Sequence, residues 1–301
     1  MFDIKSPKRF IKEQINEIGQ WWSWYIREIT WQIIITLIAY LLVCILLYII
    51  LKRVNHQAWQ LPGPPSKILF VTAHPDDEVM FFGPMIYWLS KFKTTNVYLL
   101  CFTNGTYYYF VKIIFFCHCG HRRRKEELWA SAKIIGIPEA NITIIINSEL
   151  PDNPKVQWPG SIISENILHY IETYKMNAVV TFDKRGVSGH KNHISLYYAI
   201  ASLCIEKKIP SYCKLYILES VNILRKYVQL LDLPISLLTS SYWYLVNYEQ
   251  RRTIQSAMKA HKSQYVWFRK LYMTFSRYTF INTLQEVNAL DLEFDLQYED
   301  D

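Results

Sequence analysis

The longest apolar run in the chain is Ile33–Leu51, IIITLIAYLLVCILLYIIL, nineteen residues without a charge. At a helical rise of about 1.5 Å per residue it nearly spans the ~30 Å hydrocarbon core of a bilayer. Trp21, Trp22, Trp24, Tyr25 and Trp31 lead into it, and Lys52 and Arg53 close it. That order suits an interfacial aromatic belt and a cationic stop. The run is too long, and starts too late, for the core of a cleaved signal peptide. A retained transmembrane helix is therefore expected over 33–53, behind a juxtamembrane segment, 1–32. The nearest charges, Lys52 and Arg53, favour a C-terminal body in the cytosol, although the cations over 1–32 pull the other way. The stretch Leu61-Pro-Gly-Pro-Pro-Ser66 cannot continue a helix and reads as a stiff linker, 54–66.

Beyond the linker, short apolar runs alternate with helical patterns. Strands are expected at Lys67–Thr72, Asn96–Phe102, Ile142–Ile146, Ala178–Phe182 and Lys214–Leu218. Helices are expected at Val79–Phe92, Arg122–Ile135, Ser161–Tyr174 and His193–Glu206. Apolar strands alternating with helices predict an α/β fold, a Rossmann-like parallel sheet with helices on both faces, over 67–230. From 231 to 301 the pattern changes to dense Arg, Lys, Tyr, Trp and Phe. This extension reads as helical, either packed on the sheet or lying in a membrane interface.

Composition narrows the class. Apolar residues are 51% and charged residues 20% of 301, which excludes a disordered chain. Thirty-three Lys and Arg against 26 Asp and Glu give +7. That excess fits an anionic partner such as phospholipid, but no dense basic stripe points to nucleic acid. Six cysteines at irregular spacing suggest reduced thiols facing the cytosol rather than a disulfide framework.

Two polar clusters follow predicted strands. Ala73-His74-Pro75-Asp76-Asp77-Glu78 comes directly after Lys67–Thr72, and Ser188-Gly189-His190-Lys191-Asn192-His193 follows Ala178–Phe182. Ligand sites of parallel sheets gather at the carboxyl ends of strands. Imidazole with carboxylate suits zinc; of two adjacent carboxylates one can ligate while the other moves a proton. A helix start merely enriched in acid is the plainer reading of the first cluster. A second cluster with two histidines three residues apart weighs against it.

Ala-His-Pro-Asp-Asp-Glu, with Gly-His-x-x-His about 115 residues later, resembles the LmbE/PIG-L family of zinc deacetylases. Val179–Tyr197, Ser220–Leu238 and Ala257–Arg277 are similar to its eukaryotic, membrane-bound branch, the N-acetylglucosaminyl-phosphatidylinositol de-N-acetylases. The resemblance covers roughly Lys67 to Leu284. It implies hydrolysis of an N-acetyl group on a glycosylated phosphatidylinositol, early in GPI-anchor biosynthesis. It also implies a single-pass protein of the endoplasmic reticulum membrane with a cytosolic catalytic domain. Carried over residue by residue, His74, Asp77 and His193 would hold Zn2+ or another divalent metal, Asp76 would be the general base, and His190 would stabilise the oxyanion and could protonate the leaving amine. Arg124, in Arg-x-x-Glu-Leu, would contact substrate. Asn192 stands where some bacterial relatives have Asp. A non-catalytic, membrane-tethered lipid-binding homologue is the alternative, and a metal-dependent glycosyltransferase fits less well because it needs no paired imidazoles.

One stretch departs from the family pattern. Thr106–Arg123 is about ten residues longer than expected, and Tyr109–Cys119 is apolar apart from Lys112. It reads as a lipid-facing flap or as a gene-model artefact. Cys117, His118, Cys119 and His121 are spaced too tightly, and lack a second pair, for a structural zinc site.

Overall fold

The computed structural model describes residues 7–53, 61, 66–105, 117–288 and 292, the side chains of 7–13 and 117–122 excepted. Residues 106–116, most of the apolar insertion, lie outside the described residues, as do the side chains of Cys117, His118, Cys119 and His121. The chain divides into two compact units, Met1–Ile50 and Leu51–Asp301.

The first unit is almost wholly helix α1, Pro7–Arg53. It begins well before the expected Ile33. Between Pro7 and the apolar run only Gly19 is a poor helix former, so nothing stops the helix from extending. Gln14–Arg53 is long and apolar enough to cross a membrane by length and composition. Its side chains are exposed from Gln14 to Val43, which a helix of a soluble core would not tolerate.

The second unit is a seven-stranded sheet between helices. In chain order its elements are β1 (Lys67–Thr72), α2 (Asp77–Met80), α3 (Gly83–Leu89), β2 (Asn96–Cys101), α4 (Cys117–Ile135), β3 (Ile142–Ile144) and α5 (Gly160–Tyr174). They continue through β4 (Ala178–Phe182), α6 (Gly186–Gly189), α7 (Lys191–Ile205), β5 (Lys214–Leu218), α8 (Ile223–Lys226) and α9 (Leu233–Thr239). β6 (Tyr242–Leu245), α10 (Tyr248–Ala260), α11 (Trp267–Phe275) and β7 (Ile281–Glu286) complete it. The strand order is β3-β2-β1-β4-β5-β7-β6. The first five strands are parallel, and all five side chains of β4 are buried. Such strands need cover on both faces. Right-handed crossovers place α3 and α4 on one face and α5 and α7 on the other. Phe82 of the α2–α3 turn meets Phe70 of β1 and Phe182 of β4 edge-on, with centroids 5.8 and 5.0 Å apart.

Two departures from the sequence pattern have local causes. The helix expected over Val79–Phe92 is split at Phe81–Phe82, because Pro84 has no N–H for the preceding turn and instead starts α3. The stretch after residue 230 is not purely helical. Tyr242–Leu245 (YWYL) is mostly aromatic and Ile281–Glu286 (INTLQE) carries β-branched Ile281 and Thr283; the two pair antiparallel with each other, and Ile281–Glu286 pairs antiparallel with β5. The extension thus closes one edge of the sheet, which is mostly but not wholly parallel.

Candidate active site

Strands β1 and β4 are neighbours, but the chain leaves them toward opposite edges of the sheet. Their following loops part there and open a crevice at the carboxyl ends. Both polar clusters lie at this point. Ala73–Asp76 turns directly from β1 into α2, while β4 leads through α6 to His190 and the start of α7.

Three donor atoms converge. His74 Nδ1 is 3.3 Å from His193 Nε2 and 3.6 Å from Asp77 Oδ2, and His193 Nε2 is 3.3 Å from the same oxygen. Donors about 2.0–2.2 Å from one tetrahedral cation stand roughly 3.3–3.5 Å apart, so this set fits a metal tripod. The far side of each ring is fixed, as ligating imidazoles require. His193 Nδ1 faces the Gly186 carbonyl at 3.0 Å, and His74 Nε2 faces Asp152 Oδ1 at 3.2 Å. Asp77 Oδ2 also accepts the backbone N–H groups of Ala73 and His74, at 3.0 and 2.8 Å. His190 brings a third imidazole, with its ligand atom within 4.8 Å of those of His74 and His193. Its buried Nδ1 has no hydrogen-bond partner.

Electrostatics separate these groups. Burial works against charge on His74, but hydrogen bonds and negative charge from Asp152 and Asp77 prevail and push its pKa up to about 10. The two carboxylates hold a positive charge at this spot, and a metal cation can take the proton's place. Burial also opposes charge on Asp77, yet His193 and His74 keep it well below the usual carboxylate range. Asp76 goes the other way. Burial raises it to about 6, partly countered by Arg269, with Asp77 adding to the rise. His190 is lowered to about 4, by burial first and then by the charge of His193 and His74.

The backbone is strained on both sides of the crevice. Asp76 has φ 112° and Val187 φ 58°, left-handed values that cost a non-glycine residue about 1–3 kcal/mol. Hydrogen bonds hold both: Asp76 N donates to Glu78 Oε2 at 2.9 Å, and Val187 N to Ser220 Oγ at 2.8 Å. Glu78 is anchored in turn by Ser131 Oγ at 2.8 Å and His261 Nε2 at 2.7 Å.

All six residues singled out in the sequence meet at this crevice. Arg124 reaches it through Asp152, whose Oδ2 lies 3.4 Å from the guanidinium. Asn192 is fully buried and donates to the Pro151 carbonyl at 3.2 Å, so it holds the loop that carries Asp152. Sequence reasoning missed Asp152 and Arg269. Asp152 lies in Pro151-Asp-Asn-Pro154, after a third strand of the same sheet, a signal of the same kind as the others. Arg269, whose Nη2 is 2.8 Å from Asp76 Oδ2, arrives from α11, and no local pattern announces it.

Residues 69–204 match the protein family described as PIG-L: GlcNAc-PI de-N-acetylase. The N-acetylglucosaminyl-phosphatidylinositol de-N-acetylase of Bos taurus is 44% identical over 225 residues, 74% of this chain and 85% of that protein. The chain belongs to the PIG-L family. Among solved structures, N,N'-diacetylchitobiose deacetylase from Pyrococcus horikoshii aligns with a TM-score of 0.56 at 14% identity, covering 80% of this chain and 90% of that one. Teicoplanin deacetylase Orf2, in a zinc-inhibited form, aligns at 0.50 with 14% identity, over 73% and 97%. At such identities the likeness is one of fold, and the PIG-L member here carries that fold with an apolar helix ahead of it.

Proposed function

We propose that this protein hydrolyses the N-acetyl group of N-acetylglucosaminyl-phosphatidylinositol, giving acetate and glucosaminyl-phosphatidylinositol, an early step of GPI-anchor biosynthesis. The observation that carries this reading is the tripod of His74, Asp77 and His193 with Asp76 beside it, in a chain 44% identical to a protein of that activity. Two nitrogens and one oxygen suit zinc. A divalent cation bound there supplies a Lewis acid for the acetyl carbonyl and makes water more acidic.

The remaining chemistry belongs to side chains. Asp76, with its carboxyl pushed up to about 6, suits the base that takes a proton from the attacking water and returns it to the departing nitrogen. An amine leaves an amide only once protonated, so both transfers are needed. His190, lowered to about 4, is neutral at pH 7. That favours a hydrogen-bond donor to the carbonyl oxygen as it gains charge over a role as the acid. Arg124 stands at the rim, where its charge suits an anionic substrate.

The test is incubation of metal-replete protein with N-acetylglucosaminyl-phosphatidylinositol, scored by acetate release, with His74→Ala as the control. Release by wild type and none by the variant is expected; a metal-loaded wild type that releases no acetate overturns the reading.

We further infer that the protein sits in the endoplasmic reticulum membrane as a single-pass protein with its catalytic unit in the cytosol. Cys44, Cys101, Cys204 and Cys213 form no disulfide, which supports a reducing compartment. The sequon at Asn141-Ile-Thr143 gives a handle, and Asn141 Nδ2 is engaged with the Val97 carbonyl at 3.0 Å. Glycan on Asn141 in cells would refute the cytosolic placement.

A further inference from the structure

Helix α11 turns large apolar side chains outward. Trp267 is 72% exposed, Phe268 53%, Leu271 50% and Phe275 52%, while the same helix buries Tyr272 and Met273. Nearby, α8 presents Ile223 and Leu224, 72% and 76% exposed. The two helices adjoin: the rings of Tyr227 and Tyr272 meet edge-on at 6.4 Å, and Lys226 Nζ lies 5.6 Å from the Tyr272 ring centroid. An apolar pocket of about 540 Å3 opens between them, lined by Tyr227, Phe268, Leu271, Tyr272 and Phe275, with Met80 and Arg269. Its walls reach the reaction centre. Arg269 pairs with Asp76, and Met80 ends the helix that begins with Asp77.

Charge selects the occupant. Helix α8 carries Arg225 and Lys226, α11 carries Arg269 and Lys270, and neither helix has an acidic residue. Of these, Lys270 is exposed, and Lys226 lies against the Tyr227 and Tyr272 rings. Aromatic and aliphatic side chains on a short helix, with cations around them and almost no acid, complement acyl chains below an anionic headgroup layer. The chain also carries a helix long and apolar enough to cross a membrane, so a bilayer is the surface to which this unit is tethered.

We propose that α8 and α11 form a second membrane contact, by which the catalytic unit lies on an anionic bilayer. The pocket between them receives the glycerol and upper acyl segments of a phospholipid, and the attached sugar reaches Asp76. This goes beyond the proposed reaction and depends on it only for the second arm of the test.

In the first arm, full-length protein carrying p-benzoylphenylalanine in place of Trp267 is reconstituted in vesicles of phosphatidylcholine and phosphatidylinositol and irradiated. The same probe at Glu172, exposed near the end of α5 and leading into the opposite end of the sheet, is the control. Lipid adducts at 267 and none at 172 are expected. Adducts to protein alone at 267, whether a second copy or another subunit, overturn the proposal, as does equal labelling of both positions. In the second arm, Trp267→Glu and Leu224→Glu, which line neither the pocket nor the metal tripod, are combined. Their introduction should lower kcat/KM on bilayer substrate about tenfold, as loss of an interfacial apolar contact does, and leave a water-soluble short-chain analogue unaffected. Equal loss on both substrates, or loss on neither, overturns the proposal. Absence of deacetylation by wild type in either format refutes the reaction and leaves the first arm to decide the contact.

Discussion

His74 is held between two carboxylates, with Asp77 Oδ2 3.6 Å from Nδ1 and Asp152 Oδ1 3.2 Å from Nε2. The first contact belongs to the donor set that fits a metal, and the second fixes the ring from behind. A carboxylate behind a ligating imidazole orients the ring and raises its basicity. Asp152→Asn keeps the shape but removes the charge, so metal affinity should fall about 10- to 100-fold. Competition with a chelating dye measures it, and unchanged affinity would show that Asp152 gives the ring no support.

Adjacent carboxylates here have separate surroundings. Asp77 accepts two backbone N–H groups and faces two imidazoles, whereas Asp76 faces Arg269. Asp77→Ala should therefore abolish metal binding and activity together. Asp76→Ala should retain metal and lower kcat by about 10²- to 10⁴-fold, the usual size of a proton-transfer contribution. Metal content measured on both purified variants decides it: equal loss of metal refutes the division of labour.

Much of this was legible in the sequence because it is local. Parallel strands buried on both faces read as apolar runs, and β1, β4 and β5 lie where their runs predict. His74, Asp76 and Asp77 share one turn, and His190 and His193 share another, so short spacing carried them. What the pattern could not give is long-range. Asp152 and Arg269 reach the crevice from distant segments, and their partners become visible only once β1 and β4 are neighbours. The antiparallel strands β6 and β7 were hidden for a related reason. The aromatic residues of β6 suit a strand, a packed helix or a membrane surface equally well, and β7 is largely polar, until β7 pairs with β5 and β6 with β7.

Gly186 sets His193 in two ways. Its carbonyl faces His193 Nδ1, and a Cβ placed on it would lie 2.8 Å from His193 Cβ, at φ +58°. Gly186→Ala must therefore displace His193 as well as strain the backbone. Gly189 has φ +72° but nothing within 4 Å of its Cβ position. Gly189→Ala should cost only the left-handed strain of about 1–2 kcal/mol and keep its metal, while Gly186→Ala should lose affinity by more than about tenfold. Thermal melts and metal titrations of the pair make the comparison, and equal affinities would remove Gly186 from the support of His193.

The buried pair of His261 and Glu78 gives the fold a pH dependence of its own. His261 Nε2 is 2.7 Å from Glu78 Oε1, and both side chains are fully buried. Burial opposes charge on His261, but the Glu78 carboxylate outweighs it and raises the histidine above its ordinary 6.5. A group raised by folding contributes its full stabilisation below the unfolded value, and the contribution drains away as pH rises through the folded one. The Tm of wild type in detergent should thus decline from pH 6.5 upward more steeply than that of a Glu78→Gln/His261→Asn double variant. His261→Ala alone should be worse than the double variant at every pH, because it leaves Glu78 buried without its partner, a loss of about 3–5 kcal/mol. His261 Nδ1 has no hydrogen-bond partner, so a neutral ring donating from Nε2 is the competing state. Parallel slopes for wild type and double variant would establish that state and refute the charged pair.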